Sequence, residues 1–238
     1  MIKLRDLSYS YDDKDFRLDK INLEIEPGYV TVLVGYNGCG KTTLMRNMYG
    51  SLIPKCGEVL YDDKKIDFEN LAEYHKDVAF VGKSLFADYY TIEENVELFK
   101  NLYDRFDEEM FLNLINKFDL ANRIDSRFGI LSRGQKVKVE IAFVISLKPK
   151  YLILDEPFAG LDEISKQDIV EILQNRINED NMGVFVSTHL LDEIEDIADF
   201  VIMMKGGRII KQGDRDSVIK PGNSLTDETI ETMENEDK

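Results

Sequence analysis

The sequence predicts an α/β fold: a mostly parallel core sheet with helices on both faces, an antiparallel β region and a helical insert. Three observations lead there. Strand and helix patterns alternate from Tyr151 onwards, which implies a parallel sheet covered on both faces. A short, almost wholly apolar run at 29–34 leads into a glycine-rich loop and then a helical pattern. A block of helical periodicity from about Thr91 to Leu147 interrupts the strands.

Residues 2–9 and 16–25 are apolar-rich with alternating stretches, as half-buried strands are. Pro27-Gly28 is a turn. The strand at 29–34 is apolar enough to be buried on both faces. The loop 35–40 follows, then a helix from Lys41 to about Tyr49. Residues 57–66 read as a hairpin around Asp62-Asp63, and 78–81 as another buried strand. Thr91-Ile-Glu-Glu opens a helix as a capping box, and Val96, Phe99, Leu102, Tyr103 and Phe106 recur at helical spacing. Helices follow at about 107–118 and 134–147. Then come a strand at 151–154, a helix at 163–177, a strand at 184–187, a helix at 190–197 and a strand at 200–204. Gly206-Gly207 turns the chain into a last strand, 208–211. Residues 1–222 form one domain. The acidic stretch 223–238 is expected to be disordered.

Charge narrows the function. The 238 residues carry 30 Lys+Arg against 46 Asp+Glu, a net of −16. That argues against nucleic acid, whose partners are basic, and against a polybasic grip on lipid. No apolar run approaches the ~18 residues of a membrane-spanning helix, and the first residues lack the apolar stretch of a secretion signal. Cys39 and Cys56 cannot build a disulfide scaffold, which suits the reducing cytosol.

Gly35-Tyr-Asn-Gly-Cys-Gly-Lys41-Thr42-Thr43 fits G-x-x-x-x-G-K-[ST], between a predicted strand and a predicted helix. Gly35, Asn37, Gly38, Cys39 and Gly40 supply backbone N–H groups that converge on phosphate oxygens. The helix N-terminus at Lys41 adds its positive dipole end. Lys41 neutralises phosphate charge, and the Thr42 hydroxyl is a ligand for Mg²⁺. Tyr151-Leu-Ile-Leu-Asp155-Glu156-Pro157 delivers two acids at a strand end, where ligands of such sheets bind. Side chains alternate along a strand, so the two acids have different tasks. Asp155 suits Mg²⁺, leaving Glu156 to activate water for phosphoryl transfer. His189 follows the strand at 184–187, on the same rim, and is placed to act at the γ-phosphate.

These residues carry a family resemblance. The chain, over roughly residues 1–213, resembles the ATP-binding subunit of ABC transporters. GYNGCGKTT looks like the family's first Walker motif and LILDEP like its second. Leu131-Ser132-Arg133-Gly134-Gln135 is similar to the LSGGQ signature and begins 24 residues before Asp155. Asp162 falls in the segment resembling the D-loop, His189 matches the switch histidine, and Tyr11 matches the aromatic that stacks on adenine. The resemblance implies a P-loop NTPase fold of ABC ATPase type, with a helical subdomain at about 84–147. It implies ATP and Mg²⁺ as ligands. It also implies head-to-tail pairing with a copy of itself or a similar chain. Ser132, Arg133, Gly134 and Gln135 would then act in trans on the partner's nucleotide. The helical insert would dock on an integral membrane transporter subunit, leaving the protein peripherally attached at the cytoplasmic face. Two other functions are a soluble, non-transport ABC ATPase and an ATP-binding regulatory subunit with little turnover.

Three positions depart from the family pattern. Arg133 replaces a glycine, which resembles the ABC-2-type exporter branch and points to export; its guanidinium either meets the γ-phosphate or faces solvent. Lys83 or a neighbour stands where the Q-loop glutamine belongs, and a lysine cannot ligate a metal. Cys39 stands where alanine is usual, either as an activated thiolate at a helix N-terminus or as an inert small residue. Arg123, Arg127, Arg133, Lys136 and Lys138, against Asp125 alone, make the signature region locally positive, as a phosphate-facing surface in an acidic protein must be.

Overall fold

The structure is a computed structural model and describes residues 1–11, 17–82, 84–189 and 191–235. In chain order it runs β1 (Ile2–Ser10), β2 (Arg17–Ile25), β3 (Val30–Val34), α1 (Lys41–Met48), β4 (Cys56–Tyr61), β5 (Lys64–Lys65), α2 (Leu71–Asp77) and β6 (Val78–Val81). The helical part holds α3 (Ile92–Lys100), α4 (Glu108–Lys117) and α5 (Arg133–Ser146). Then follow β7 (Tyr151–Asp155), α6 (Glu163–Asp180), β8 (Gly183–Ser187), β9 (Phe200–Lys205), β10 (Arg208–Asp214), α7 (Arg215–Val218) and α8 (Leu225–Asn235). A four-stranded antiparallel sheet has the order β2-β1-β4-β5, and a six-stranded sheet the order β10-β9-β3-β8-β7-β6. In the second, only β10 runs antiparallel to its neighbour. This is the expected P-loop α/β architecture with its antiparallel and helical parts.

The central strands show why the sheet is covered twice. On β7, Leu152 and Leu154 join the apolar cluster shared with α5 and α6, while Tyr151 and Ile153 join the cluster shared with α1 and the antiparallel sheet. Val184 and Val186 of β8 face the first cluster and Phe185 the second. A period of two sends alternate side chains to opposite faces, so a strand between two layers needs apolar residues at every position. The helical part has its own aromatic centre, in which Phe143 lies 5.2 Å from Phe86 and 5.4 Å from Phe106, ring centroid to centroid. The expected capping box is present: Glu94 N donates to Thr91 Oγ1 at 3.0 Å, and Thr91 N donates to Glu94 Oε2 at 2.8 Å.

Three elements differ from expectation. The acidic end expected to be disordered forms helix α8 over 225–235, with Leu225 and Met233 buried. Leu225 and Met233 are eight residues apart, two turns on one face. The acids between them are partly neutralised: Lys211 Nζ reaches Glu228 Oε1 at 2.6 Å and Lys220 Nζ reaches Glu231 Oε1 at 2.6 Å. The helix expected at 190–197 is instead two short 3-10 turns, Leu191–Glu193 and Glu195–Ile197. Leu191, Ile194 and Ile197 recur every third residue, the period of a 3-10 helix. Helix α2 had no counterpart in the sequence reading; of its seven residues only Tyr74 is buried, so it shows little apolar periodicity.

Candidate functional site

All five residues of β3 are buried, and the chain leaves it into the glycine-rich loop. Gly40 has φ 114°, a conformation that disfavours a side chain, and it turns the loop into α1, where Leu44 N donates to Gly40 O at 2.9 Å. Lys41, the first residue of α1, is 6% exposed. Its Nζ donates to Gly35 O at 2.7 Å and stands 3.8 Å from Glu156 Oε1. Asn37, Gly38, Gly40, Lys41, Thr42 and Thr43, with Asp155 and Glu156, line one cleft of about 220 Å³. Gly35 sits behind this cleft, where its carbonyl holds Lys41 and where a side chain would meet Met204 O at 2.3 Å.

Asp155 and Glu156 have different partners, Asp155 as the last residue of β7 and Glu156 in the turn that follows it. Asp155 Oδ2 accepts from Thr42 Oγ1 at 2.6 Å, and Asp155 Oδ1 accepts from Ser187 Oγ at 2.7 Å. Glu156 has φ 53°, a left-handed conformation that costs a non-glycine residue about 1 kcal/mol. Its N–H donates to Ser187 O at 3.0 Å and, at 3.2 Å, to Ser187 Oγ. The turn aims its carboxylate at His189, whose Nδ1 lies 2.7 Å from Glu156 Oε2 and whose backbone N donates to the same oxygen at 3.3 Å. Against a carboxylate, Nδ1–H is the donor of this bond. Ser187 is fully buried and was not singled out in the sequence reading. Its signal was positional: it pairs with Asp155 in the β7–β8 register.

The signature residues form a second cleft of about 410 Å³, with Ser132, Gly134, Gln135 and Asp162 in its lining. None of these residues lines the first. Ser132 and Gln135 cap α5 reciprocally: Gln135 N donates to Ser132 Oγ at 3.2 Å, and Ser132 N donates to Gln135 Oε1 at 3.0 Å. Gly134 packs so closely that a β-carbon there would meet Leu161 Cδ2 at 2.9 Å. Asp162 caps α6, accepting from Ser165 N at 2.9 Å and Ser165 Oγ at 2.6 Å. Those bonds hold its carboxyl below the usual carboxylate range. Arg133 is exposed at the start of α5. Tyr11 lies outside both clefts, in an edge-to-face contact with Tyr9 at 5.1 Å. Lys83 lies outside the described residues. The activated-thiolate option for Cys39 is overturned: the residue is buried and burial pushes its thiol up, against the pull of Lys41.

A glycine-rich strand–loop–helix with a buried lysine, beside a strand-end Asp-Glu pair, defines a P-loop ATPase. The ABC transporter family matches residues 18–159. The chain belongs to that family, in the class of its ATP-binding, ATP-hydrolysing subunits. The energy-coupling factor transporter ATP-binding protein EcfA3 of Clostridium perfringens is 33% identical over 225 residues, covering 90% of this chain and 77% of that protein. Among solved structures, an ATP-binding subunit of an ABC transporter superposes with TM-score 0.88 at 25% identity, covering 98% of this chain and 99% of that one. The ATP-binding cassette MJ0796, dimeric in a post-hydrolysis state bound to ADP and Pi, gives TM-score 0.80 at 26% identity over 90% of this chain and 99% of its own. The expectation of export drawn from Arg133 finds no support, since the similar curated proteins include several named as energy-coupling factor subunits.

Proposed function

We propose that this chain is the energy-coupling ATPase of a membrane transporter of the energy-coupling factor kind. It cleaves ATP to ADP and phosphate at a head-to-tail interface between two such subunits. The observation that carries the hydrolytic step is the Glu156–His189 contact of 2.7 Å beside the cleft that holds Lys41, and the similarity to energy-coupling factor subunits supports the transporter kind. Lys41 and the N-terminus of α1 bind the β- and γ-phosphates. Glu156 takes a proton from the attacking water, and His189 orients that carboxylate and offers Nε2–side polarity to the γ-phosphate. Tyr11 stacks on adenine. The Thr42 hydroxyl and Asp155 carboxylate, both hard oxygen donors 2.6 Å apart, suit Mg²⁺. Mg²⁺ bound there would neutralise charge on the phosphate oxygens. Among the described residues no group of three or more His, Cys, Asp or Glu could hold a metal ion, which fits a cation that takes its remaining ligands from phosphate and water.

Ser132, Arg133, Gly134 and Gln135 of a second subunit complete the site from the far side of the nucleotide, with Asp162 beside them. The second subunit is a copy or a similar chain. Among the described residues no helix is long and apolar enough to cross a membrane. The helical part instead exposes Tyr89, Leu98 and Leu102, apolar surface suited to an integral membrane subunit, which would hold the protein at the cytoplasmic face. Phosphate release from the wild type, compared with Glu156→Gln and with and without a co-purified membrane subunit, tests the proposal. Wild-type turnover no faster than that of the variant sinks it.

A further inference from the structure

Glu140 is a buried carboxylate that the proposed chemistry does not use. It sits midway along α5 and is 6% exposed. Its Oε1 accepts from Leu85 N at 2.7 Å and from Ser84 Oγ at 3.0 Å. Burial pushes its carboxyl up, and Leu85 N, Ser84 Oγ, Phe86 N and the Lys136 ammonium pull it back only in part. A carboxylate in such a place is costly unless its bonds do something an apolar side chain could not.

The two ends of this contact are informative. Ser84 and Leu85 belong to the short loop that leaves β6, and the start of that loop lies against the phosphate cleft. A β-carbon at Gly82 would come within 2.7 Å of Phe80 Cζ and 2.9 Å of Asp155 Cβ. The far end is fixed by Phe86, buried 5.3 Å from Phe128 and 5.2 Å from Phe143, centroid to centroid. Glu140 itself is on the helix whose first turn is capped by Ser132, about 12 Å away at the ~1.5 Å rise per residue of an α-helix. Gly82 thus abuts Asp155 at one end of this segment, Ser84 and Leu85 bond Glu140 at the other, and the rigid helix α5 carries Glu140 to the signature.

We propose that Glu140 is a positioning residue that ties the loop beside Asp155 to the signature helix, so that nucleotide in one subunit's phosphate cleft sets the signature it presents to its partner's nucleotide. The inference rests on the head-to-tail reading of the dimer. Glu140 touches no nucleotide in this scheme; it acts through Ser84, Leu85 and α5. Glutamine keeps an acceptor oxygen for the bonds from Leu85 N and Ser84 Oγ and gives up only the charge that Lys136 feels.

The test uses the full chain in a Glu156→Gln background, with ATP. Two quantities are measured: binding of a fluorescent ATP analogue to the subunit at low protein concentration, and ATP-dependent dimerisation by light scattering. Adding Glu140→Leu is expected to leave single-subunit affinity within two-fold while raising the protein concentration needed for dimerisation about ten-fold. Adding Glu140→Gln is expected to restore the parent's behaviour. Ser84→Ala, which removes one of the two bonds without touching the helix, is expected to fall between. The proposal is overturned if Glu140→Leu dimerises like the parent, or if nucleotide affinity and dimerisation fall together, as a general folding defect makes them do. If Glu140→Leu does not fold, a Ser84→Ala variant that dimerises like the parent overturns it. A Glu156→Gln parent that stays monomeric at saturating ATP overturns the head-to-tail reading itself, a failure visible before any Glu140 variant is made.

Discussion

The two clefts of this molecule are built on different principles. In the phosphate cleft the functional side chains are already wired to one another. Thr42 bonds Asp155, Asp155 bonds Ser187, Ser187 holds the backbone of Glu156, and Glu156 bonds His189. In the signature cleft, Ser132 and Gln135 bond each other to cap α5, and Arg133 is exposed. One cleft is preorganised within the subunit, the arrangement that electrostatic catalysis favours. The other is a capped helix end offered outward. The contrast teaches that substitutions in the first should alter nucleotide binding or the chemical step itself, and those in the second should leave a single subunit's nucleotide affinity intact and show only when two subunits meet.

The largest effect is expected from Glu156→Gln, which keeps the shape of the cleft but removes its base. Turnover should fall roughly 10²–10⁴-fold while ATP still binds, as phosphate-release assays beside nucleotide titrations would reveal. Lys41→Ala comes next. Losing charge-assisted bonds worth about 1.5–3 kcal/mol should weaken ATP binding by the isolated subunit about 10- to 100-fold, measurable by calorimetry. Unchanged affinity would mean that the phosphate cleft is not where ATP sits. Ser187→Ala leaves Asp155 Oδ1 without its donor, at a cost of about 1–3 kcal/mol. Turnover should drop about ten-fold, with a higher Mg²⁺ requirement. In the other cleft, Gly134→Ala drives a methyl against Leu161. Subunit affinity for ATP should hold within two-fold while turnover falls; equal losses in both would erase the distinction between the clefts. The smallest effect concerns thiol chemistry. In the native protein a thiol reagent should label exposed Cys56 and spare Cys39, which is buried and whose thiol burial pushes up, and mass spectrometry counts the adducts.

Glu140 adds a pH signature. Its carboxyl binds a proton more readily folded than unfolded, so its stabilisation is fullest below the ordinary carboxylate range and is lost as pH rises through the raised value. The melting temperature of wild type minus that of Glu140→Gln should therefore decline from acid to neutral pH.

The phosphate cleft was legible in the sequence because its residues lie in short contiguous motifs at strand ends. The mostly parallel sheet covered on both faces followed from alternation and apolar runs. Other features depend on contacts between distant segments, which a linear pattern does not display. Ser187 matters because it lies opposite Asp155 in a neighbouring strand. Cys39 had two plausible fates by position, and burial against the antiparallel sheet decided between them. Helix α8 was hidden because acids dominate its composition, while the lysines that answer its charge, Lys211 and Lys220, stand outside the helix. The third-residue spacing of Leu191, Ile194 and Ile197 was visible, and it was read with the wrong period.

The left-handed backbone of Glu156 has a consequence for evolution and engineering. Its conformation is one that glycine adopts freely, so the reactive carboxylate occupies a position where the fold alone would be as well served by no side chain. Glu156→Gly should extinguish turnover yet melt no lower than the wild type. Selection for thermal robustness alone would erode the enzyme at the residue it can least spare, the familiar conflict between stability and activity concentrated in one dihedral angle.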